Sequence, residues 1–174
     1  MTNITLRADA TPSAPALILR PWNEDDIEPL IEAHRDPVLR RWTNPIETFD
    51  DALKWLDVQN QGWATGERMS FAVHEEGRLL ANVVLKRTDH PESAEVGYWT
   101  AAHARGRGVA PRALEALTVW AFEAHGLARL ELLHQVDNLA SCRVAEKARY
   151  EFLRVLPAQP PYPRDGHLHV RRSA

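Results

Sequence analysis

Two glycines and three arginines stand just ahead of a helix-forming run in "ARGRGVAPRALEALTVWAFE", residues 104–123. Such a segment can hold an anion. Free N–H groups at a helix start point outward, and the helix dipole favours negative charge there. Gly106 and Gly108 let the backbone approach a ligand closely. Pro111 suits the first helical turn, where its missing N–H costs little. Arg105, Arg107 and Arg112 can add charge-assisted contacts to a phosphate. Two familiar phosphate patterns fail: G-x-G-x-x-G lacks its last glycine because Pro111 stands there, and G-x-x-x-x-G-K-[ST] is absent. What remains is Arg105-x-x-Gly108-x-Ala110, with Val109 between the last two.

Other residues could carry chemistry. Glu95 interrupts an otherwise apolar strand, "AEVGYWTA", and a buried carboxylate is costly unless it is paired or used. In "DNLAS", Asn138 reads as a helix cap and Ser141 as a first-turn residue. Cys142, the one cysteine, has no evident histidine partner along the chain, and a small buried hydrophobe is the commoner role for such a residue. The eight histidines contain no HExxH spacing. His167 and His169 form an H-x-H on an expected strand, too weak a signal for a metal, so no metal is expected. His134, Trp42, Trp55 and Trp63 are candidates to line a substrate's acceptor side, with core packing the expected role of most of them.

These residues need elements to position them. "ALILR" (16–20) reads as a first strand. "NEDDIEPLIEAHRD" starts on Asn23, with acids in the first turn, and Pro29 implies a kink or a late start. "TFDDALKWLDVQNQGW" offers Thr48 as a cap and places Ala52, Trp55, Leu56 and Gln59 on one helical face. A hairpin follows, with strands at 69–74 and 79–86 around "EEG", then a strand at 94–101. The glycine loop leads into a helix whose apolar stripe is Ala113, Leu114, Leu117, Trp120, Ala121 and Ala124, stopped by Gly126. "ARLELLHQV" alternates as a strand, "DNLASCRVAEKA" is a short helix, and "EFLRVL" is another strand. "PAQPPYPRDG" is a loop, expected to help shape the pocket for an acceptor substrate, and "HLHVR" can close the sheet. This order predicts a mixed α+β, or three-layer α/β, sheet with helices on both faces.

Composition bounds the function. The 174 residues have the length of one ordinary domain, expected over 16–174, after a loosely ordered lead-in over 1–15. A net charge of -3 argues against a dedicated nucleic-acid binder and a polybasic membrane anchor. A single cysteine fits a reducing compartment, so a cytoplasmic protein is expected. The N-terminal stretch lacks the long apolar run of a signal peptide or membrane span.

The spacing Arg105-x-x-Gly108-x-Ala110 resembles the R/Q-x-x-G-x-G/A signature of the GNAT N-acetyltransferase superfamily. "AEVGYW" before the loop, "ALEALTVWAFEAHGLARLEL" after it and "VDNLASCRVAEKARYEF" further on resemble, in order and spacing, its ribosomal-protein-alanine acetyltransferase-like (RimJ/RimL-like) branch. "LILRPWNEDDIEPLIEAHRDPVLRRW" resembles the opening of that branch, so the likeness covers about residues 17–172. It implies a strongly curved, mostly antiparallel sheet of six to seven strands, with the fourth and fifth splayed apart. Acetyl-CoA would lie in that gap, its pyrophosphate on residues 105–110: Arg105, Gly106, Arg107, Gly108, Val109 and Ala110.

The resemblance also implies an N-acetyltransferase, moving acetyl from acetyl-CoA to a primary amine by direct attack. That chemistry needs a neutral amine, a polarised carbonyl, donors for the oxyanion and a proton or hydrogen bond for the thiolate. The family pattern places Glu95 towards the acceptor amine, as a base or as a structural carboxylate. It places Asn138 on the pantetheine arm and the Ser141 hydroxyl near the CoA sulfur. The backbone of Trp99 and Thr100 would pair with pantetheine like an added strand and leave an N–H near the thioester oxygen. The acceptor is a protein N-terminus or a small amine. A larger donor such as succinyl-CoA and a non-catalytic acyl-CoA sensor are the alternatives. Family analogy leaves room for a homodimer, which no sequence feature establishes. One departure stands out: Arg149 replaces a glycine in the turn after "EKA", so either the turn differs or Arg149 is strained. Tyr150 beside it is the expected aromatic near the cofactor.

Overall fold

Local signals set most element boundaries in the computed structural model, which describes residues 3–174. Asn23 caps a single 3-10 turn, Glu24–Asp26, through a reciprocal capping box with Asp26. Helix α1 (Ile27–Ala33) then begins late, with Pro29 in its first turn, where no N–H is missed. Helix α2 is one turn, Pro37–Arg40, capped by Asp36. Thr48 and Asp51 form a second capping box at the start of α3 (Phe49–Thr65), which buries Ala52, Leu56 and Gln59. Helix α4 (Val109–His125) ends on Gly126 in the left-handed region, and α5 spans Leu139–Lys147. Ala124, placed by periodicity in the apolar stripe of α4, is exposed in its last turn.

Eight strands form one sheet, one more than the upper expectation: β1 Leu6–Ala8, β2 Leu17–Pro21, β3 Arg68–Glu75, β4 Arg78–Arg87, β5 Ser93–Thr100, β6 Arg129–Gln135, β7 Glu151–Leu156 and β8 Gly166–Arg172. Their order is β1-β2-β3-β4-β5-β6-β8-β7. The additional strand is β1, within the stretch expected to be loose. Ile4, Leu6 and Ala8 alternate onto the core, and Leu6 pairs with Leu19. The guanidinium of Arg112 ties this segment down through the carbonyls of Asp9 and Pro15, both at 2.8 Å.

Helices α4 and α5 cover one face of the sheet, over a core that includes Phe71, Val83, Leu114, Leu117, Leu130 and Tyr150. Helices α1 and α3 cover the other, around Trp22, Leu30, Leu56 and Ala72. Asp26 locks that second layer to the strands. Arg20 grips it with two bonds, at 2.7 and 2.9 Å, and His74 lies 3.1 Å away. Burial alone would raise the Asp26 pKa, but hydrogen bonds from His74 and Arg20 bring it down to about 2.

All neighbouring strands are antiparallel except β5 and β6. That parallel pair holds from Ser93↔Arg129 to Val96↔Leu132 and then parts. Gly97–Thr100 and Leu133–Gln135 continue without pairing to each other, so the sheet splits in its middle. This is the splay expected between the fourth and fifth strands, shifted by one number because of β1.

Candidate active site

The split opens a cleft of about 370 Å³. Its walls bring together Trp99 and Thr100 from β5, Arg105, Gly106 and Gly108 from the loop, Val109 and Ala110 from α4, and Asn138 and Ser141 from the start of α5. Nine of the residues singled out from sequence therefore share one wall. Gly106 and Gly108 have φ of 72° and 74°, the region that disfavours a Cβ. Among the described residues, no backbone carbonyl accepts from the N–H of Gly106, Arg107, Gly108, Val109 or Ala110. Gly108 starts α4 with no side-chain cap, so these donors stay open to an incoming anion.

The arginines are arranged differently from the expectation. Arg105 lines the cleft, but it is ion-paired with Asp36 and also donates to the Thr100 carbonyl at 3.4 Å. Burial would raise the Asp36 pKa, yet the bond from Arg105 and the N–H groups of Val38 and Leu39 hold it below the usual carboxylate range. Arg107 turns out of the cleft to Glu75, at 2.5 Å. Arg112 is spent on the N-terminal segment, as described, and lies outside the cleft. The cations that line it besides Arg105 are Arg143 and Lys147, one turn apart on α5. Their i, i+4 spacing just after Asn138 is the sequence signal that marks them.

At the split, Asn138 accepts the Ser141 N–H through its side-chain oxygen at 3.2 Å, and Tyr98 donates its hydroxyl to the Ser141 carbonyl at 3.3 Å. Tyr98 is thus a strut from β5 to α5 across the gap. Burial pushes its pKa up to about 12, so it remains a protonated donor. The Ser141 hydroxyl itself is uncommitted.

A second, outer cleft of about 820 Å³ lies against the first. Both include Trp42, Thr43 and Trp99 in their walls, so they meet there. The outer walls add His34, Trp55, Arg41, Arg68 and Arg164, with Asp137 and the loop after β7. Asp137 is already paired with Arg41 at 2.9 Å and Arg164 at 3.4 Å. His34 stands edge-on to Trp99, with ring centroids 5.2 Å apart. Its Nδ1 donates to the Leu30 carbonyl at 2.9 Å, and burial pushes its pKa down. The ring is therefore neutral near pH 7 and keeps the Nε2 lone pair.

Three expected placements change. Glu95 is half-buried and ion-paired with Lys86 on β4, and it lines neither cleft. Tyr150 is in the core, its hydroxyl 2.8 Å from Thr118 Oγ1. Arg149 takes φ of 61°, so the departure from glycine is accommodated as strain rather than as a different turn. Cys142, moreover, has histidine neighbours in space. His134, His167 and His169 converge on it from β6 and β8, a grouping that no spacing along the chain shows. The convergence is invisible along the chain because it depends on β8 returning to pair with β6.

A sequence model of the acetyltransferase (GNAT) domain matches residues 16–151. The chain belongs to the GNAT acetyltransferase family. No curated protein matches it. Its fold is similar to that of several solved structures. A ribosomal-protein-serine acetyltransferase candidate from Vibrio cholerae has 24% identity and a TM-score of 0.85, covering 99% of this chain and 100% of that one. RimJ of Mycobacterium smegmatis, solved with a CoA disulfide, has 18% identity and a TM-score of 0.83, covering 97% and 86%. The microcin C7 self-immunity acetyltransferase MccE, solved with acetyl-CoA and AMP, has 16% identity and a TM-score of 0.82, covering 94% and 98%. The GNAT membership makes this chain a transferase, and the RimJ/RimL-like likeness read from sequence agrees with these neighbours. Among the described residues, no helix of this GNAT protein is long and apolar enough to cross a membrane.

Proposed function

We propose that residues 16–174 form one GNAT domain that transfers acetyl from acetyl-CoA to a primary amine by direct attack. The observation that carries this reading is the meeting of two clefts at Trp99, one built for an anionic donor and one open to an acceptor. The solved neighbours that hold CoA or acetyl-CoA support the choice of donor. In this reading the open N–H groups of residues 106–110 receive the pyrophosphate, helped by Arg143 and Lys147. The unpaired edge of Gly97–Thr100 runs alongside pantetheine, with a backbone N–H of Trp99 or Thr100 towards the thioester oxygen. Asn138 keeps its side-chain NH2 for the pantetheine arm, and the Ser141 hydroxyl meets the departing thiolate.

An α-amine has a pKa near 8, so it needs only modest help to lose its proton. His34 is the better proton acceptor, because its ring lines the outer cleft against Trp99. The ion pair with Lys86 favours the structural role for Glu95. The acceptor is a protein N-terminus or a small amine. Arg41, Arg68 and Arg164 disfavour a polycation, since the Asp137 carboxylate in the same wall is already neutralised.

The test is titration calorimetry with CoA, followed by a thiol-release screen of acetyl-CoA and succinyl-CoA against peptides and small amines. CoA binding and amine-dependent thiol release with acetyl-CoA are expected. Absence of CoA binding sinks the donor assignment, and a preference for succinyl-CoA replaces acetyl as the group moved.

A further inference from the structure

The three histidines and one cysteine noted above lie beside α5 but outside both clefts. In the β6–β8 ladder His134 is directly opposite His167, and Leu132 is opposite His169. His167 and His169 are two residues apart, so they share a face of β8 with His134 beside them. Cys142 comes from the first turns of α5, which packs on that face. One ligand-capable atom from each of the four residues lies within 4.8 Å of the other three. Phe152 of β7 covers the two β8 rings, with centroid separations of 5.0 and 5.7 Å.

The hydrogen bonding of this cluster is incomplete. His134 Nδ1 donates to the Gln135 carbonyl at 2.7 Å, so its Nε2 presents a lone pair. That lone pair is 3.0 Å from Nε2 of His169. If His169 carries its proton on Nδ1, two lone pairs face each other. If it carries it on Nε2, Nδ1 is left bare, and His169 Nδ1 is buried with no partner. His167 Nδ1 is buried and unpartnered too. Native structures rarely leave buried nitrogens in this state without an unseen ion or water. A cation held by one nitrogen of each ring removes the lone-pair repulsion of the first tautomer, and it partners an orphaned Nδ1 wherever that atom is the ligand.

We propose that His134, His167, His169 and Cys142 form a zinc site. Three imidazoles and a thiolate are ligands of a borderline-soft metal, not of magnesium or calcium. A tetrahedral Zn²⁺ with bonds of about 2.0–2.3 Å places its ligand atoms roughly 3.3–3.6 Å apart. Small side-chain rotations from the present spacing reach that. Binding releases the Cys142 thiol proton to solvent, and the metal is not reduced or oxidised. Four protein ligands close the coordination shell, so the site is structural. It staples α5 to β6 and β8. Because Cys142 follows Ser141, the staple fixes the turn that carries Asn138 and Ser141. A nucleophilic thiol–imidazole pair is the competing use of the same residues, but Cys142 does not line the cleft.

The probe is Co²⁺, titrated into the full chain after chelator treatment, with Zn²⁺ as competitor. One equivalent should bind, with the intense visible bands of a tetrahedral site and a thiolate-to-cobalt charge-transfer band, and Zn²⁺ should displace it. Zn²⁺ should also raise the melting temperature of the wild type. Cys142→Ser, at a half-exposed helix position that tolerates the change, should lose the charge-transfer band. It should weaken binding by more than the roughly 10–100-fold typical of an outer-shell change. His169→Gln should act alike, while His103→Gln, remote from the cluster, should bind as the wild type. A weak octahedral cobalt spectrum overturns the proposal, as does a tetrahedral spectrum unchanged in Cys142→Ser.

Discussion

The two clefts that meet at Trp99 are made of different material. The inner cleft, the donor side in the proposed function, draws most of its lining from the glycine-loop run at 104–111 and the run at 138–147, with residues 38–43 and 98–100 beside them. The acceptor side is large side chains from many separate segments, among them His34, Trp55, Arg68 and residues 161–164. A main-chain site holds a ligand through groups that every residue carries. A side-chain site holds it through groups that one substitution removes. Damage to the donor side should therefore appear at the few positions where a side chain acts. Damage to the acceptor side should be spread over many positions and should spare the donor.

The sharpest break of that contrast is Ser141→Ala. It should lower kcat by about 100-fold, in the range of acid–base assistance, with KM for acetyl-CoA within about threefold. Equal losses in turnover and donor affinity would reduce Ser141 to a helix-turn residue. Next comes the proton route. His34→Gln should cost roughly 10–30-fold in kcat and remove the acidic limb of the pH–rate profile. Because burial lowers the His34 pKa, its base form is retained down to below about pH 6.5, and the wild-type limb should lie there. Glu95→Gln should leave that limb in place. If Glu95→Gln moves it instead, the base is Glu95 and the Lys86 pair does not exclude it. The smallest effect expected is for Arg68→Met, about tenfold in KM for the amine found in the screen. CoA affinity measured by calorimetry should not change, and a parallel loss would show that the two clefts are not separable.

The same contrast explains what could be read from sequence. The donor loop was legible because its residues are contiguous and its two positive-φ positions are glycines. Caps at Asn23 and Thr48 and the hairpin turn at Glu76–Gly77, both with φ above zero, announced their elements locally. Strand β1 was not legible, since three residues among Thr, Arg and Asp give too short an alternation. The turning of Arg107 to Glu75 and of Arg112 to Asp9 depends on partners 32 and 103 residues away. The histidine cluster depends on the reversal of β7 and β8 in the sheet. The outer cleft was legible in part, through Trp42, Trp55 and the proline-rich loop, while His34, Arg41 and Arg68 come from separate segments that no single window of sequence contains.

That reversed order has one more result. The loop between β7 and β8 brings Pro161, Tyr162, Pro163 and Arg164 to the outer cleft and contributes nothing to the inner one. It is a hairpin connection at the sheet's margin, and its length can change without disturbing the β6–β8 register. A lineage, or an engineer, could exchange this single connection and change what the outer cleft admits while inheriting the inner cleft intact.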